Sequence, residues 1–251
     1  MDIVRIPKIV MQTWKTNVVP DEWKPSRDAI LKYMPSWEYV LMTDEDNRVF
    51  VKEHFPEFYP FFQTFRYPIQ KADAIRACWL YVKGGLYIDL DLEILKPLDD
   101  LFTVDANLFF VSAGTLSSYV TNSFMAAKPK DPLWLQYIDN MKKIPPDWAM
   151  TKHLEVMAVT GPMSLTYVLR NTDRPYLMIP KRYIKPCNEC DGNIGCDLTE
   201  AYVKPLKGGS WESLDSKILN WWRCKWYDGI QMLLMFVLAY VMYKVCSVKH
   251  T

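Results

Sequence analysis

The apolar and polar positions alternate between two periods along the chain. Residues 8–14 (KIVMQTW) form an apolar run broken by Lys8 and Gln12, which predicts a buried first strand. Trp23 to Met34 reads as a helix with Pro25 in its first turn, where the missing N–H costs little. WEYVLM at 37–42 is a second strand, and Thr43 then caps a helix whose first turn carries Asp44, Glu45 and Asp46 and which runs to about His54. Aromatic-rich residues 56–67 read as short helical pieces. Pro68 opens the helix containing Lys71–Lys83, and Gly84-Gly85 closes it. LYIDLDLEIL reads as one strand that continues past its acids. Further strands are expected at 108–113, within 121–127 and at 176–180, with helices at Pro132–Lys143 and, capped by Thr160, at Gly161–Arg170. This order predicts an α/β sandwich with a largely parallel sheet.

The tail departs from that pattern. Gly229 to Val248 (GIQMLLMFVLAYVMYKVCSV) carries one charge, Lys244, and as a helix would be roughly 30 Å long, about the thickness of a bilayer's hydrocarbon. Trp221, Trp222, Trp226 and Tyr227, with Arg223 and Lys225, precede it as an interfacial belt would. The expected division is a catalytic domain over 1–220 and a membrane anchor over 221–251, a single pass in the endomembrane system. A buried or interfacial helix is the other reading of that tail. The N-terminus MDIVRIPKIVMQTW has no signal-peptide pattern, which favours a catalytic domain facing the cytosol.

Composition narrows the class. The chain has 251 residues, half of them hydrophobic, so it can bury a core. Its net charge is +1 with acids and bases interspersed, which gives no basic face for nucleic acid. Of its six cysteines, Cys187, Cys190 and Cys196 lie close together and suit a structural zinc, a loop disulfide or free thiols.

The candidate chemistry lies in residues 71–93, KADAIRACWLYVKGGLYIDLDLE. Asp89, Asp91 and Glu93 alternate on the expected strand and so point to one face, where a hard divalent ion would relieve their repulsion and hold a diphosphate. Asp73 and Arg76 are three apart on the preceding helix and share a face; they suit either sugar and phosphate binding or a local ion pair.

The order of these signals resembles the glycosyltransferases with the DXD sugar-binding region, the family usually numbered 32. The resemblance spans roughly residues 5–215. It rests on Trp14 after IPKIVMQ, then Lys71-Ala72-Asp73 with Arg76, then Gly84 to Asp91, then Asn122-Ser123, Thr160-Gly161-Pro162 and Gly209-Ser210-Trp211. It implies a GT-A fold, a Rossmann-like nucleotide-sugar-binding domain, and a Mn²⁺- or Mg²⁺-dependent, retaining transfer from a GDP- or UDP-hexose to a glycan or lipid acceptor, with mannose favoured. By position, Trp14 would stack on the base, Asp73 and Arg76 would grip the donor sugar, and Asn122 would line its pocket. Asp89 would contact ribose and metal, with Tyr87 beside it among the donor-binding residues, and Asp91 would ligate the metal. Ser210 and Trp211 would close over the diphosphate. Two departures stand out. No His precedes Ser210, where Lys207 could compensate diphosphate charge instead, and Met11 occupies a position where relatives usually carry His. A metal-dependent phosphoryl hydrolase and a non-catalytic binding protein of the same fold are the competing classes.

Overall fold

The computed structural model describes residues 6–112, 119–145, 149, 151–187, 190, 196–222 and 224. The chain divides into two compact units, residues 1–211 and 212–251. In the smaller unit, residues 214–222 are helical. The apolar stretch 229–248, expected to cross a membrane, lies outside the described residues; among those described, no helix is long and apolar enough to do so.

The larger unit is built on a six-stranded sheet of order β2-β1-β3-β6-β5-β7. Its strands are β1 (Ile9–Thr13), β2 (Glu38–Met42), β3 (Gly85–Ile88), β5 (Leu108–Ser112), β6 (Val120–Ala127) and β7 (Leu177–Ile179). A separate antiparallel pair joins β4 (Leu92–Ile94) to β8 (Val203–Pro205). β1 is parallel to β2 and β3, and β5 to β7, but β6 runs antiparallel to both β3 and β5. The sheet is therefore mixed rather than largely parallel.

Both faces of the sheet are covered, which is why its strands read as near-continuous apolar runs. Met11, Tyr87, Phe110 and Met125 enter one core cluster, while their strand neighbours Val10, Leu86, Phe109 and Phe124 enter the other. The first cluster is closed by α2 (Asp44–His54), α3 (Tyr59–Thr64), α4 (Pro68–Val82), α5 (Leu133–Lys143), α6 (Lys152–Val159) and α7 (Pro162–Arg170). The second packs under α1 (Lys24–Tyr33) and α8 (Lys181–Ile184). Met11 is fully buried and belongs to the core.

Local chemistry sets the elements around the site. Thr43 and Asp46 form the expected capping box on α2. Pro68 starts α4, and Gly84 ends it at φ 68°, where an added Cβ would meet the Ala127 carbonyl oxygen at 2.8 Å. Gly85, at φ 87°, then brings the chain within 2.5 Å of the Ile9 carbonyl oxygen as measured from such a Cβ, which lets β3 pair directly beside β1.

Three local expectations change. LYIDLDLEIL is two strands: the chain turns at Asp89–Asp91, closed by the Leu92 N–H donating to the Asp89 carbonyl at 3.1 Å, and β4 joins the second sheet. Glu93 consequently leaves the acid group and pairs with Lys204 at 3.0 Å. Thr160 does not cap α7; Gly161 occupies that position without a side-chain cap, and the Thr160 hydroxyl serves the site instead. The zinc reading of the cysteine loop also fails, because Cys187 and Cys196 are joined in a disulfide and Cys190 is disulfide-bonded as well.

Candidate active site

The site gathers at the carboxyl end of β3, where ligands collect in α/β sheets. Five buried side chains, Asp73, Arg76, Tyr87, Asn122 and Thr160, make its floor. Asp73 and Arg76, from one face of α4, are 3% and 5% exposed, yet both carry charge-bearing groups, so each must find partners. Arg76 approaches Asp73 Oδ1 at 3.4 Å and Asp89 Oδ1 at 3.2 Å, and donates to the Asn122 carbonyl at 2.8 Å. Its guanidinium lies 4.6 Å from the centroid of the Tyr87 ring. The Tyr87 hydroxyl donates to Asp89 Oδ1 at 2.5 Å. Asp73 accepts from the Asn122 amide on Oδ1 and from the Thr160 hydroxyl on Oδ2, both at 2.9 Å. One connected array thus joins Asp73, Arg76, Tyr87, Asp89, Asn122 and Thr160. Five of these were expected from the sequence as site residues, and the geometry shows them linked rather than merely near.

Burial dominates the electrostatics. It pushes the Asp73 carboxyl up to about 7, against the pull of Arg76, Thr160 and Asn122. The Arg76 guanidinium is raised above its usual range by Asp89, Tyr87 and Asp73, which outweigh its own burial. Burial also drives the Tyr87 hydroxyl well up, so it remains a donor to Asp89.

Asp91 sits on the far side of the turn. Burial, then the neighbouring Asp89 charge, raises its carboxyl to about 7, with Lys185 and Arg76 opposing. The segment after β8 folds back against it: the Leu206 N–H donates to the Asp91 carbonyl at 2.7 Å, and a Cβ on Gly208 would lie 2.2 Å from Asp91 Oδ2. Gly208 is therefore the residue that lets the backbone lie against this carboxylate.

The residue between the two acids is held as firmly. Leu90 packs with Val19 and Trp23 in a small apolar cluster that Trp14, Leu41 and Leu206 complete. Trp14 meets Trp23 edge to face, with ring centroids 4.8 Å apart. The Trp23 indole N–H donates to the Lys207 carbonyl at 2.8 Å, tying the 206–211 segment to the acidic turn. Half-buried Trp14 is thus brought to the turn through Leu90. Ser210 is exposed in the turn after Gly209, which adopts φ 87°. Trp211 takes a different set of partners: it stacks on His153 with centroids 5.6 Å apart, and its carbonyl accepts from Lys152 at 2.5 Å.

A divalent cation fits the acidic turn. Asp89 and Asp91 are hard oxygen donors in a closed turn, and Asp91 is held neutral up to about 7 by burial and by the Asp89 charge, a penalty that a cation would remove. Among the described residues no third His, Cys, Asp or Glu joins them in a metal-ligating cluster. Two carboxylates with the remaining positions left to diphosphate and water is the arrangement Mg²⁺-like ions favour.

Sequence reasoning did not find Trp23, Thr160 as a partner of Asp73, or the Lys152–His153 pair. Thr160 belonged to the motif series that carries the resemblance, which was a usable signal; α6, the helix of Lys152 and His153, could have been found from the Thr151 hydroxyl that accepts from the Leu154 N–H.

The site is thus an aspartate pair turned at the end of the central strand of a mixed α/β sheet, with a buried Asp–Arg array behind it. Comparison with known proteins places the chain among the DXD-motif glycosyltransferases. Residues 20–107 match the family described as the glycosyltransferase sugar-binding region containing DXD motif. The chain is 31% identical over 215 residues to mannosyl phosphorylinositol ceramide synthase CSH1 of Saccharomyces cerevisiae, a match covering 86% of this chain and 55% of the relative. It is 33% identical over 218 residues to inositol phosphoceramide mannosyltransferase 2 of Schizosaccharomyces pombe, covering 86% of this chain and 61% of the relative. The chain thus spans between about half and two thirds of these relatives' lengths. Among solved structures, the PaToxG glycosyltransferase superposes with a TM-score of 0.52 at 15% identity, covering 66% of this chain and 69% of that one, which shows the shared GT-A-like fold.

Proposed function

We propose that the chain is the catalytic part of a retaining hexosyltransferase that moves mannose from a nucleoside diphosphate donor to a lipid-borne hydroxyl. The observation that carries this reading is the buried Asp73–Arg76–Asn122–Asp89 array opening onto the Asp89–Asp91 turn. A neutral-to-anionic carboxyl beside a fixed guanidinium can accept from sugar hydroxyls on one side and oppose phosphate charge on the other. Trp14 presents a ring at the carboxyl end of β1 for a nucleobase. Asp89 and Asp91 would hold the divalent ion, Mn²⁺ or Mg²⁺, which when bound neutralises the diphosphate as it leaves. Arg76 supplies fixed positive charge to the same group, and Ser210 and Trp211 cover it. The names of the relatives favour an inositol phosphoceramide acceptor.

The membrane part of the reading places the enzyme at its lipid acceptor through residues 221–251. The helical residues 214–222 support it: Leu214, Ile218, Trp221 and Trp222 recur at helical spacing and are 73%, 54%, 57% and 47% exposed. The Cys187–Cys196 disulfide favours the oxidising, luminal side of an endomembrane over the cytosolic side expected from the N-terminus.

The test is a panel of nucleotide sugars scored for Mn²⁺-dependent donor hydrolysis, followed by transfer to inositol phosphoceramide in vesicles. GDP-mannose is expected to be consumed, with Asp91→Asn inactive. Hydrolysis of no nucleotide sugar, or equal activity of Asp91→Asn, refutes the proposal.

A further inference from the structure

We propose that Gln12, Ser26 and Tyr39 are positioning residues that fix the Asp89–Asp91 turn in the shape that presents its two carboxylates together. The proposal builds on the donor-and-metal reading above and concerns what lies behind the turn, not what binds in front of it.

Gln12 interrupts the apolar run of β1 and is 0% exposed. A long polar amide inside a strand costs stability unless every part of it is bonded. Here its partners are specific. The Gln12 Oε1 accepts from the Tyr39 hydroxyl at 3.0 Å, and Nε2 donates to Ser26 Oγ at 3.0 Å and to the Asp89 carbonyl at 3.4 Å. Ser26, also 0% exposed, passes the contact on by donating to the Leu92 carbonyl at 2.6 Å. The same Asp89 carbonyl accepts the Leu92 N–H that closes the turn. One amide therefore reaches, directly and through one hydroxyl, the carbonyls at both ends of the segment Asp89-Leu90-Asp91-Leu92.

Three elements converge to build this relay. β1 brings Gln12 beside the end of β3, β2 brings Tyr39, and α1 brings Ser26 from its first turn. A Leu or Val at position 12 would continue the core, so packing alone gives no reason for the polar network. Its effect is to limit how far the backbone of the turn can rotate. Two carboxylates that repel each other would otherwise separate, and bringing them together again would weaken cation binding. Residues behind a metal ligand usually change affinity about 10- to 100-fold when removed.

The test uses the full chain with Gln12→Leu, Ser26→Ala and Tyr39→Phe. Two readouts are taken: Mn²⁺ affinity by titration calorimetry, and amide hydrogen exchange at Leu92 against amides of α4 and α5. Gln12→Leu is expected to weaken Mn²⁺ about tenfold, with the smaller deletions about threefold. The Leu92 amide should exchange at least tenfold faster while α4 and α5 are unchanged. A purely structural role would raise exchange throughout the domain and leave Mn²⁺ affinity within twofold; that result overturns the proposal. Should Gln12→Leu fail to fold, Ser26→Ala and Tyr39→Phe decide it by the same two measures. Should the unaltered chain bind neither Mn²⁺ nor Mg²⁺, the donor-and-metal reading falls by itself. The exchange measurement then decides positioning alone: selective acceleration at Leu92 supports it, and none overturns it.

Discussion

Replacing Asp73 with Asn should trade activity for stability, and the trade should depend on pH. The Asp73 carboxyl is held at about 7 in the folded chain against an ordinary value of 3.8, because burial outweighs the pull of Arg76, Thr160 and Asn122. Below about pH 4 the proton is bound in both folded and unfolded chains, and burial carries no charge penalty. Between about 4 and 7 the folded chain holds a proton that the unfolded chain has lost, so stability falls as pH rises, by at most about 1.4 kcal/mol per pH unit. Above 7 the loss is complete. The full span corresponds to about 4 kcal/mol as an upper figure, and coupling to Arg76 makes about 2–4 kcal/mol the working range. Asn keeps the size and has no proton to lose. Its amide can donate to the Thr160 hydroxyl, which already reaches the Val156 carbonyl at 3.4 Å as an alternative acceptor. Arg76 retains Asp89 at 3.2 Å and the Asn122 carbonyl at 2.8 Å. Urea unfolding in EDTA at pH 4.5, 6.0 and 7.5 should show the variant gaining on the parent chain by about 2–4 kcal/mol across that range. Donor turnover should drop by about a hundredfold or more, as for loss of a fixed group in the site. A stability difference that stays constant with pH to within about 0.5 kcal/mol would refute the assignment of a raised, buried Asp73 carboxyl.

Arg76→Lys should fold and yet lose at least about a hundredfold in kcat/KM, because an ammonium cannot span Asp73, Asp89 and the Asn122 carbonyl at once; steady-state kinetics with less than a fivefold change would contradict this. Gly208→Ala should leave the melting temperature nearly unchanged, since the atom it meets is the end of the Asp91 side chain, while weakening Mn²⁺ binding severalfold by calorimetry. Mn²⁺ affinity should rise by up to about tenfold per unit between pH 5.5 and 7 and then level off, because the ion must displace a proton from Asp91, whose carboxyl is raised to about 7; a flat profile would exclude Asp91 as a ligand. Cys187→Ser should cost about 2–3 kcal/mol of unfolding free energy under oxidising conditions and nothing in excess reductant, checked by paired denaturant titrations.

What the sequence disclosed follows from the range of each interaction. α4 and its termination at Gly84 were legible because a proline start and a glycine stop are local signals. The Asp73–Arg76 pairing was legible because a helix fixes which residues share a face. The break at Asp89–Asp91 was not. LYIDLDLEIL keeps a strict two-residue period straight through it, and what ends the strand there comes from elsewhere: Leu206 bonding Asp91, and Val203 pairing with Ile94. Thr160 looked like a cap because Gly161 and Pro162 follow it. Its real partner, Asp73, is 87 positions away, and no local pattern reports that. β6 between β3 and β5 likewise depends on long-range pairing, so the mixed sheet read as a parallel one. The acidic cluster was overcounted for the same reason, since Glu93 faces its companions only if the strand never breaks.

The corrected geometry gives the acids a clearer division. Asp89 is the node both halves share, since its Oδ1 receives the Tyr87 hydroxyl and lies 3.2 Å from Arg76. Asp73 lies behind it and Asp91 in front, and these are the two carboxyls that burial raises to about 7. Asp73 and Asp89 both lie against the Arg76 guanidinium, and Asp91 follows across the turn. A divalent cation would relieve the repulsion on the Asp91 side, where the Leu206 N–H holds the Asp91 carbonyl and Lys185 and Arg76 offset only part of the rise in its carboxyl. On the Asp73 side no cation is called for, because Arg76, Asn122 and Thr160 already give partners to both oxygens and leave acceptor capacity for a sugar hydroxyl. The two raised carboxyls should therefore answer metal differently: an ion would displace the proton of Asp91 and leave the titration of Asp73 at about 7 unchanged. That asymmetry is the measurable consequence of the proposed division, with metal at the turn and sugar at the helix face.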